Sequence, residues 1–349
     1  MKAETAGSGR PEVDAALLLL AKLGLSPDDL VTGAAAARPL VPTFAEFVPQ
    51  VAAATTAGTL KAYGTYWNRV VERWGSRRLD EPTPLEIEQL GKQLRAGRVI
   101  RRNGRGGAGA EENYIAAMRC LYRRAVANGL LSEAENPAAR VAKPKRRPSG
   151  RRALTDSRLA EINEVAATTG NDPALDSLLL RFHTETGCRR GGALNLRRRD
   201  LDVKQCLVLL REKGETQRWQ PVSPTLMRHL LAHWQERGGD DALREAPLLR
   251  YGNGRPLTYR RYDHLWVRVG EHLPWAATQG VSAHWLRHTV ITWVERTFSY
   301  AVAREFAGHT GSGDAGSTAT YIKSNLGEVA AAVAALTGES HPLAPEADI

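Results

Sequence analysis

"TETGCRRGGALNLRRRDLDVKQCLVLLREKGETQRWQPVSP", residues 184–224, changes character twice along its length. It opens as the tail of a helix that stops at Gly187, just before Arg189. Two apolar runs then follow, 203–210 and 217–222, on either side of a polar turn over 212–215. That pattern predicts a β-hairpin with Lys213 in its turn. The remainder reads as helix. The fold class expected is therefore mainly α with a small β-hairpin or sheet, an α+β unit.

Immediately upstream, Asp172 and Pro173 open a helix whose Leu175, Leu179 and Phe182 share one face. Downstream, helical patterning continues to "NLGEVAAAVAALTG" at 325–338. Towards the N-terminus the signals stay helical. Thr43 with Glu46, and Thr83 with Pro84 and Glu86, spell two capping boxes. Over 56–74, Leu60, Tyr63, Trp67, Val70 and Trp74 recur every three or four residues, which predicts a core-facing stripe rather than a base-stacking surface. Residues 111–128 repeat the pattern through Tyr114, Met118 and Leu121, and Gly129 stops it. Between these helices, "GRVIRRNGRGGAGA" at 97–110 is too glycine-rich for regular structure.

"RVAKPKRRPSGRR", 140–152, has cations, prolines and a glycine but no acid, so it reads as an interdomain linker. The organisation expected is a helical or flexible extension over 1–42, a helical domain over 43–139, the linker, a second domain over 153–338, and a disordered tail over 339–349. The longest apolar run, "AALLLLAKLGL" at 15–25, is too short to span a membrane and contains Lys22. It reads as an amphipathic or buried helix, and Glu12 and Asp14 before it argue against a signal peptide.

The 349 residues carry a net charge of +10, which favours a polyanionic partner, nucleic acid or an anionic membrane surface. Duplex DNA is the partner expected, with Arg98, Arg101, Arg102 and Arg105 of the glycine-rich loop and Lys143, Lys145, Arg146 and Arg147 of the linker as phosphate contacts. The three cysteines, Cys120, Cys188 and Cys206, suggest reduced thiols and a cytoplasmic protein.

"SAHWLRHT", 282–289, places His284, Arg287 and His288 on one helix. A zinc helix of the HExxH type needs a Glu directly after its first histidine. Trp285 stands there instead, and no third ligand is evident, so no metal is expected. His284 with Arg287 suits a phosphate better: a fixed fork of donors beside a group that exchanges protons near neutrality. His288 is expected to point elsewhere and hydrogen-bond within the fold, and Trp219 and Trp285 to pack. "REFAGHT", 304–310, adds His309 after a glycine. "GSTATYIKSN", 316–325, adds Tyr321 in a polar setting.

In this order, these pieces resemble the tyrosine recombinase (phage integrase) family. "TGCRRGGALNLRRRDLD" resembles its first-arginine box, "EKGETQRWQPV" its lysine turn, "HWLRHT" its most specific signature, and "AGHT…TYIKS" its histidine-to-tyrosine tail. The likeness covers 155–330 closely and 43–140 weakly, where the family carries a helical core-binding domain. It implies a site-specific recombinase that cuts and rejoins DNA through a 3′-phosphotyrosyl intermediate, without metal, cofactor or ATP. Arg189 and Arg287 would clamp the phosphate and Tyr321 would be the nucleophile. Lys213 would be the general acid, His284 the base or proton shuttle, and His309 a donor to phosphate oxygen. It also implies dimers to tetramers on DNA, with the 326–337 helix docking on a neighbouring protomer. Three features depart from the pattern. Gly192 stands where the family has an acid, which predicts a weaker hold on Arg189, Arg190 stands where an apolar residue is common, and the gap from His309 to Tyr321 is long. A catalytically impaired DNA-binding relative, and a metal-dependent hydrolase using His284 and His288, are the alternatives.

Overall fold

The computed structural model describes residues 11–27, 40–97, 108–144, 151–212, 216–308 and 325–345. The chain divides into two compact units, Met1–Arg147 and Pro148–Ile349. Lys213, His309, Tyr321, Arg98, Arg101, Arg102, Arg105, Lys145, Arg146 and Arg147 lie outside the described residues.

In the first unit, helix α1 (Pro11–Leu23) precedes α2 (Phe44–Ala53), α3 (Ala57–Trp74), α4 (Pro84–Ala96), α5 (Ala108–Ala127) and the short α6 (Pro137–Arg140). Both expected capping boxes form. Thr43 N–H donates to the Glu46 carboxylate at 2.8 Å while its hydroxyl accepts from Glu46 N–H, and Thr83 with Glu86 repeats the geometry. Each box satisfies amide hydrogens that the helix itself leaves unpaired. Trp67, Val70 and Trp74 of α3 are buried with Phe44, Tyr114, Met118 and Leu121. The Trp67 indole donates to Ala117 O at 3.0 Å, so this core holds a polar handle that is satisfied.

The stripe drifts at its N-terminal end. Leu60 is exposed, Tyr63 is half-buried, and Tyr66 is buried instead against Tyr114. The 15–25 run is indeed helical, but Leu17, Leu18, Leu19 and Leu23 are exposed rather than buried. No described helix is long and apolar enough to cross a membrane.

The second unit begins with α7 (Asp156–Thr168), α8 (Pro173–Thr186) and α9 (Arg190–Leu194). A sheet follows, made of β1 (Leu201–Asp202), β2 (Leu207–Arg211) and β3 (Gln217–Pro221). It is antiparallel in the order β1-β2-β3, so the expected hairpin gains a two-residue third strand. In the hairpin Leu210 pairs with Arg218 and Leu209 with Trp219. Alternation turns Leu210 and Val208 into the core and leaves Trp219 exposed, against the expectation that it packs.

Then come α10 (Pro224–Glu236), α11 (Tyr259–His272), α12 (Pro274–Gln279), α13 (Ala283–Thr297), α14 (Tyr300–Ala307) and α15 (Leu326–Thr337). The mainly α architecture with a small antiparallel sheet matches the fold class expected from sequence.

In the single chain α15 packs on its own domain, the alternative to docking on a neighbouring protomer. Its Val329, Ala332 and Val333 fill a cluster with Val290, Val294 and Phe306 of α13 and α14. The tail expected to be disordered from 339 is docked through 345. Glu339 accepts from Arg181 at 2.9 Å and from Thr225 N–H at 3.0 Å. His341 is buried. Its Nδ1 accepts from Leu343 N–H, which leaves Nε2 to donate to Cys206 O at 3.2 Å.

A buried ion network ties α11 to the start of α8. Asp176, fully buried, accepts from Arg261 Nε at 2.7 Å and from Arg268. Arg261 continues to Asn171 and the Asp172 carbonyl. Removing Asp176 strands a guanidinium in the interior, which costs more than the intact pair contributes. Asp176→Ala is expected to destabilise by about 3–5 kcal/mol, read as a fall in Tm, and Asp176→Asn by clearly less.

Two buried histidines set a second expectation. His183 donates from Nδ1 to Cys188 O and accepts the Tyr262 hydroxyl at Nε2, at 3.1 and 2.8 Å. His233 Nε2 accepts from Arg250 N–H at 3.1 Å. Burial above all holds both imidazoles down to about 4, against an ordinary 6.5. Below 6.5 the unfolded chain therefore binds protons that the folded one refuses. Stability should be full above that value and decline as the pH falls towards 4. Thermal melts should show a lower Tm at pH 5 than at pH 7, with a shallower dependence in His233→Gln.

Candidate functional site

The site is built where α8 ends. Gly187 caps that helix in the left-handed region, at φ 56°, where a Cβ would also meet the Phe306 ring at 2.8 Å. Only glycine meets both demands. Three successive residues of the turn are then pinned from three directions. Gly187 O accepts from Arg287, Cys188 O accepts from His183, and Arg189 N–H donates to Glu212.

Arg287 projects from α13 and is 3% exposed. One end of its fork donates to Gly187 O. The other donates to Ala307 O, at the end of α14, at 2.7 Å. Both acceptors are carbonyls at helix C-termini, where the backbone leaves lone pairs unpaired and the helix dipole is negative. A cation buried this deeply needs that support. Burial, followed by the neighbouring Arg189 charge, still pulls its pKa down to about 10. It therefore stays charged at neutral pH.

Arg189 is partly exposed, its side chain at 38%, and is held by a carboxylate. Glu212, at the end of β2, is 2% exposed at its side chain and takes both Arg189 N–H and Arg189 Nη1, the latter at 2.9 Å. The weak hold on Arg189 expected from Gly192 is thus overturned: the acid comes from the hairpin. The missing side chain at 192 is what makes room, because a Cβ there would lie 3.2 Å from Glu212 Cγ.

His284 keeps an exposed surface on the first turn of α13. Partial burial first, then the charges of Arg151, His288, Arg287 and Arg189, push its pKa down to about 4. At neutral pH it is an unprotonated imidazole beside cations, able to accept a proton. His288 is not the inward structural residue expected. It is exposed, one helical turn along, with its ring edge-on to His284 at 6.1 Å. Trp285, between them, is buried as expected. Among the described residues no cluster of three or more metal-ligating side chains forms.

Sequence reasoning missed two members. Glu212 was read only as part of a polar turn. Arg218, on β3, donates to Thr186 O at 3.2 Å and to Gln220, and burial lowers its pKa. It also lies against Gly308, the left-handed cap of α14, directly before His309. Alternation in β3, with Gln217 and Trp219 exposed, turns Arg218 inward, and the expectation that Trp219 packs hid that face.

The structure thus brings Arg189, Arg287 and His284 together around the α8 terminus. Glu212 N–H donates to Thr216 O at 2.9 Å across the end of the hairpin. Lys143 is exposed in the first unit.

The chain is similar in sequence or fold to several known proteins. Tyrosine recombinase XerD of Mycobacterium leprae (strain TN) is 31% identical over 207 residues, which cover 56% of this chain and 64% of that protein. Tyrosine recombinase XerC of Pelobacter propionicus (strain DSM 2379 / NBRC 103807 / OttBd1) is 27% identical over 225 residues, 64% of this chain and 68% of the relative. The chain thus spans about two thirds of the length of these curated relatives. Among solved structures, a lambda integrase tetramer bound to a Holliday junction matches with a TM-score of 0.59 at 15% identity, over 90% of this chain and 91% of that one. The Tn1549 transposon integrase in complex with transposon right end DNA matches at 0.59 and 14% identity, over 77% and 92%. At such identities these two speak for the fold. The family model described as the phage integrase family matches residues 152–327, half of the sequence, and on that ground the chain belongs to the phage integrase family.

Proposed function

We propose that this chain is a site-specific DNA recombinase that breaks and rejoins strands through a covalent 3′-phosphotyrosyl intermediate. The observation that carries the reading is the pairing of Arg287 with Arg189 beside an unprotonated His284. A phosphodiester resists attack because it is anionic, and fixed donors aimed at its non-bridging oxygens offset the charge that builds during substitution. The Tyr321 oxygen attacks phosphorus and its proton passes to His284. The 5′ oxygen leaves with a proton from Lys213. One ester bond forms as another breaks, so a 5′ hydroxyl can reverse the step without ATP. His309 donates to a phosphate oxygen.

Duplex DNA is the substrate. The first unit serves as the core-binding domain, with Arg98, Arg101, Arg102, Arg105, Lys143, Lys145, Arg146 and Arg147 as its phosphate contacts. The protein acts in the cytoplasm, and as a dimer to tetramer on DNA, a reading supported by the lambda integrase dimer bound to a core site and the tetramer bound to a Holliday junction.

A nicked duplex bearing a site selected by the protein from a randomised pool tests the reading. In chelator, the wild-type chain should become covalently attached to it. Tyr321→Phe should lose attachment entirely and keep its DNA affinity, because binding rests on many phosphate contacts. An adduct formed by the Phe variant would place the nucleophile elsewhere.

Lys213→Ala separates proton donation from charge neutralisation. It should be severely slow on ordinary DNA and largely restored when sulfur replaces the bridging 5′ oxygen, since a thiolate leaves without a proton. Arg189→Ala should not be restored by that substrate. Equal defects on both substrates would remove Lys213 from the acid role.

A further inference from the structure

The hairpin does more than carry Lys213. Glu212 presents both carboxylate oxygens to one residue, Arg189, through its backbone N–H and its guanidinium. Its own N–H is bonded across the turn to Thr216 O. Its side chain is nearly sealed from water, and Gly192 leaves it room: a Cβ there would sit 3.2 Å from Glu212 Cγ and 3.3 Å from Oε1, tight enough to make the carboxylate shift. Around it stand Arg189, Arg218 and Arg287, each close enough for the carboxylate to act on it or bond to it.

We propose that Glu212 is a positioning residue of the reaction: from the hairpin it fixes the Arg189 guanidinium, and glycine at 192 leaves its side chain uncrowded. The role in the reaction rests on the recombinase reading; the pairing of positions 192 and 212 does not. An anchor on backbone and side chain together restrains the guanidinium. Without the carboxylate Arg189 keeps its charge but loses its aim.

A double-mutant cycle tests this. Adduct formation is followed in single turnover on the selected nicked duplex, and unfolding by thermal melts without DNA. Glu212→Ala should slow attachment by roughly ten- to a hundredfold, the scale of a misplaced catalytic group, with DNA affinity within about twofold of wild type. Added to Arg189→Ala, it should cost nothing further, because contacting residues that act as one unit are not additive. Gly192→Ala should slow attachment and lower Tm in the presence of Glu212, and do neither in the Glu212→Ala background. Gly192→Glu in that background should recover at least tenfold of the lost rate, the carboxylate now arriving from α9. Glu212→Gln, which keeps the volume, serves if Ala does not fold, and should also be slow.

Wild-type speed in the Glu212 variants, defects that multiply with Arg189→Ala, or a Gly192→Ala effect indifferent to residue 212 would each overturn the proposal. A wild-type protein that captures no DNA sinks the recombinase reading and Glu212's role in the reaction with it. The unfolding cycle still decides whether the two positions are coupled.

Discussion

The second unit depends on a cation placed where cations are costly. Arg287 reaches from α13 to the last carbonyls of two other helices, α8 and α14, and bonds to both. Three helices, one of them lying 100 residues upstream, thus converge on one guanidinium. Each helix is ended by a left-handed glycine, Gly187 and Gly308, which turns the chain away and leaves the carbonyl available. The charge is tolerated because two helix dipoles and two lone pairs replace the water it gave up. It also works at the surface of that cluster, since the turn it pins leads straight to Arg189.

The electrostatics follow from this arrangement. Burial first, and then the Arg189 charge beside them, lower the pKa of Arg218 and Arg287, and Glu212 opposes both shifts. Partial burial, followed by the charges of Arg151, His288, Arg287 and Arg189, keeps His284 neutral at ordinary pH. A site of this kind is unbalanced when empty and nearer balance with a bound phosphate, which is the sense in which it is organised for an anion before one arrives.

Local physics explains which parts were legible in the sequence. Capping boxes at Thr43 and Thr83, the α8 start at Asp172 and Pro173, and the hairpin are decided by neighbours a few residues apart, and each was readable. Arg189, His284 and Arg287 were readable because they lie in compact motifs. Glu212 was not, because its meaning lies in a contact with a residue far upstream that only the fold creates. The exposure of Leu60, His288 and Trp219 was misjudged for a related reason. Periodicity says which residues share a face, not where the facing partner stops. The docked 339–345 segment escaped notice because its polar composition resembles that of a free tail, while its Glu339 and His341 contacts are tertiary.

The exchange of space between Gly192 and Glu212 carries a consequence for descent. A Cβ at 192 would begin 3.2 Å from Glu212 Cγ, so a side chain there and the Glu212 carboxylate crowd one another. A chain with an acid on α9 would meet that crowding if it gained Glu212 first, and would free Arg189 if it lost its own acid first. Either order crosses a weakened intermediate, so substitutions at the two positions are expected to be coupled, with the glycine keeping the hairpin carboxylate's seat open.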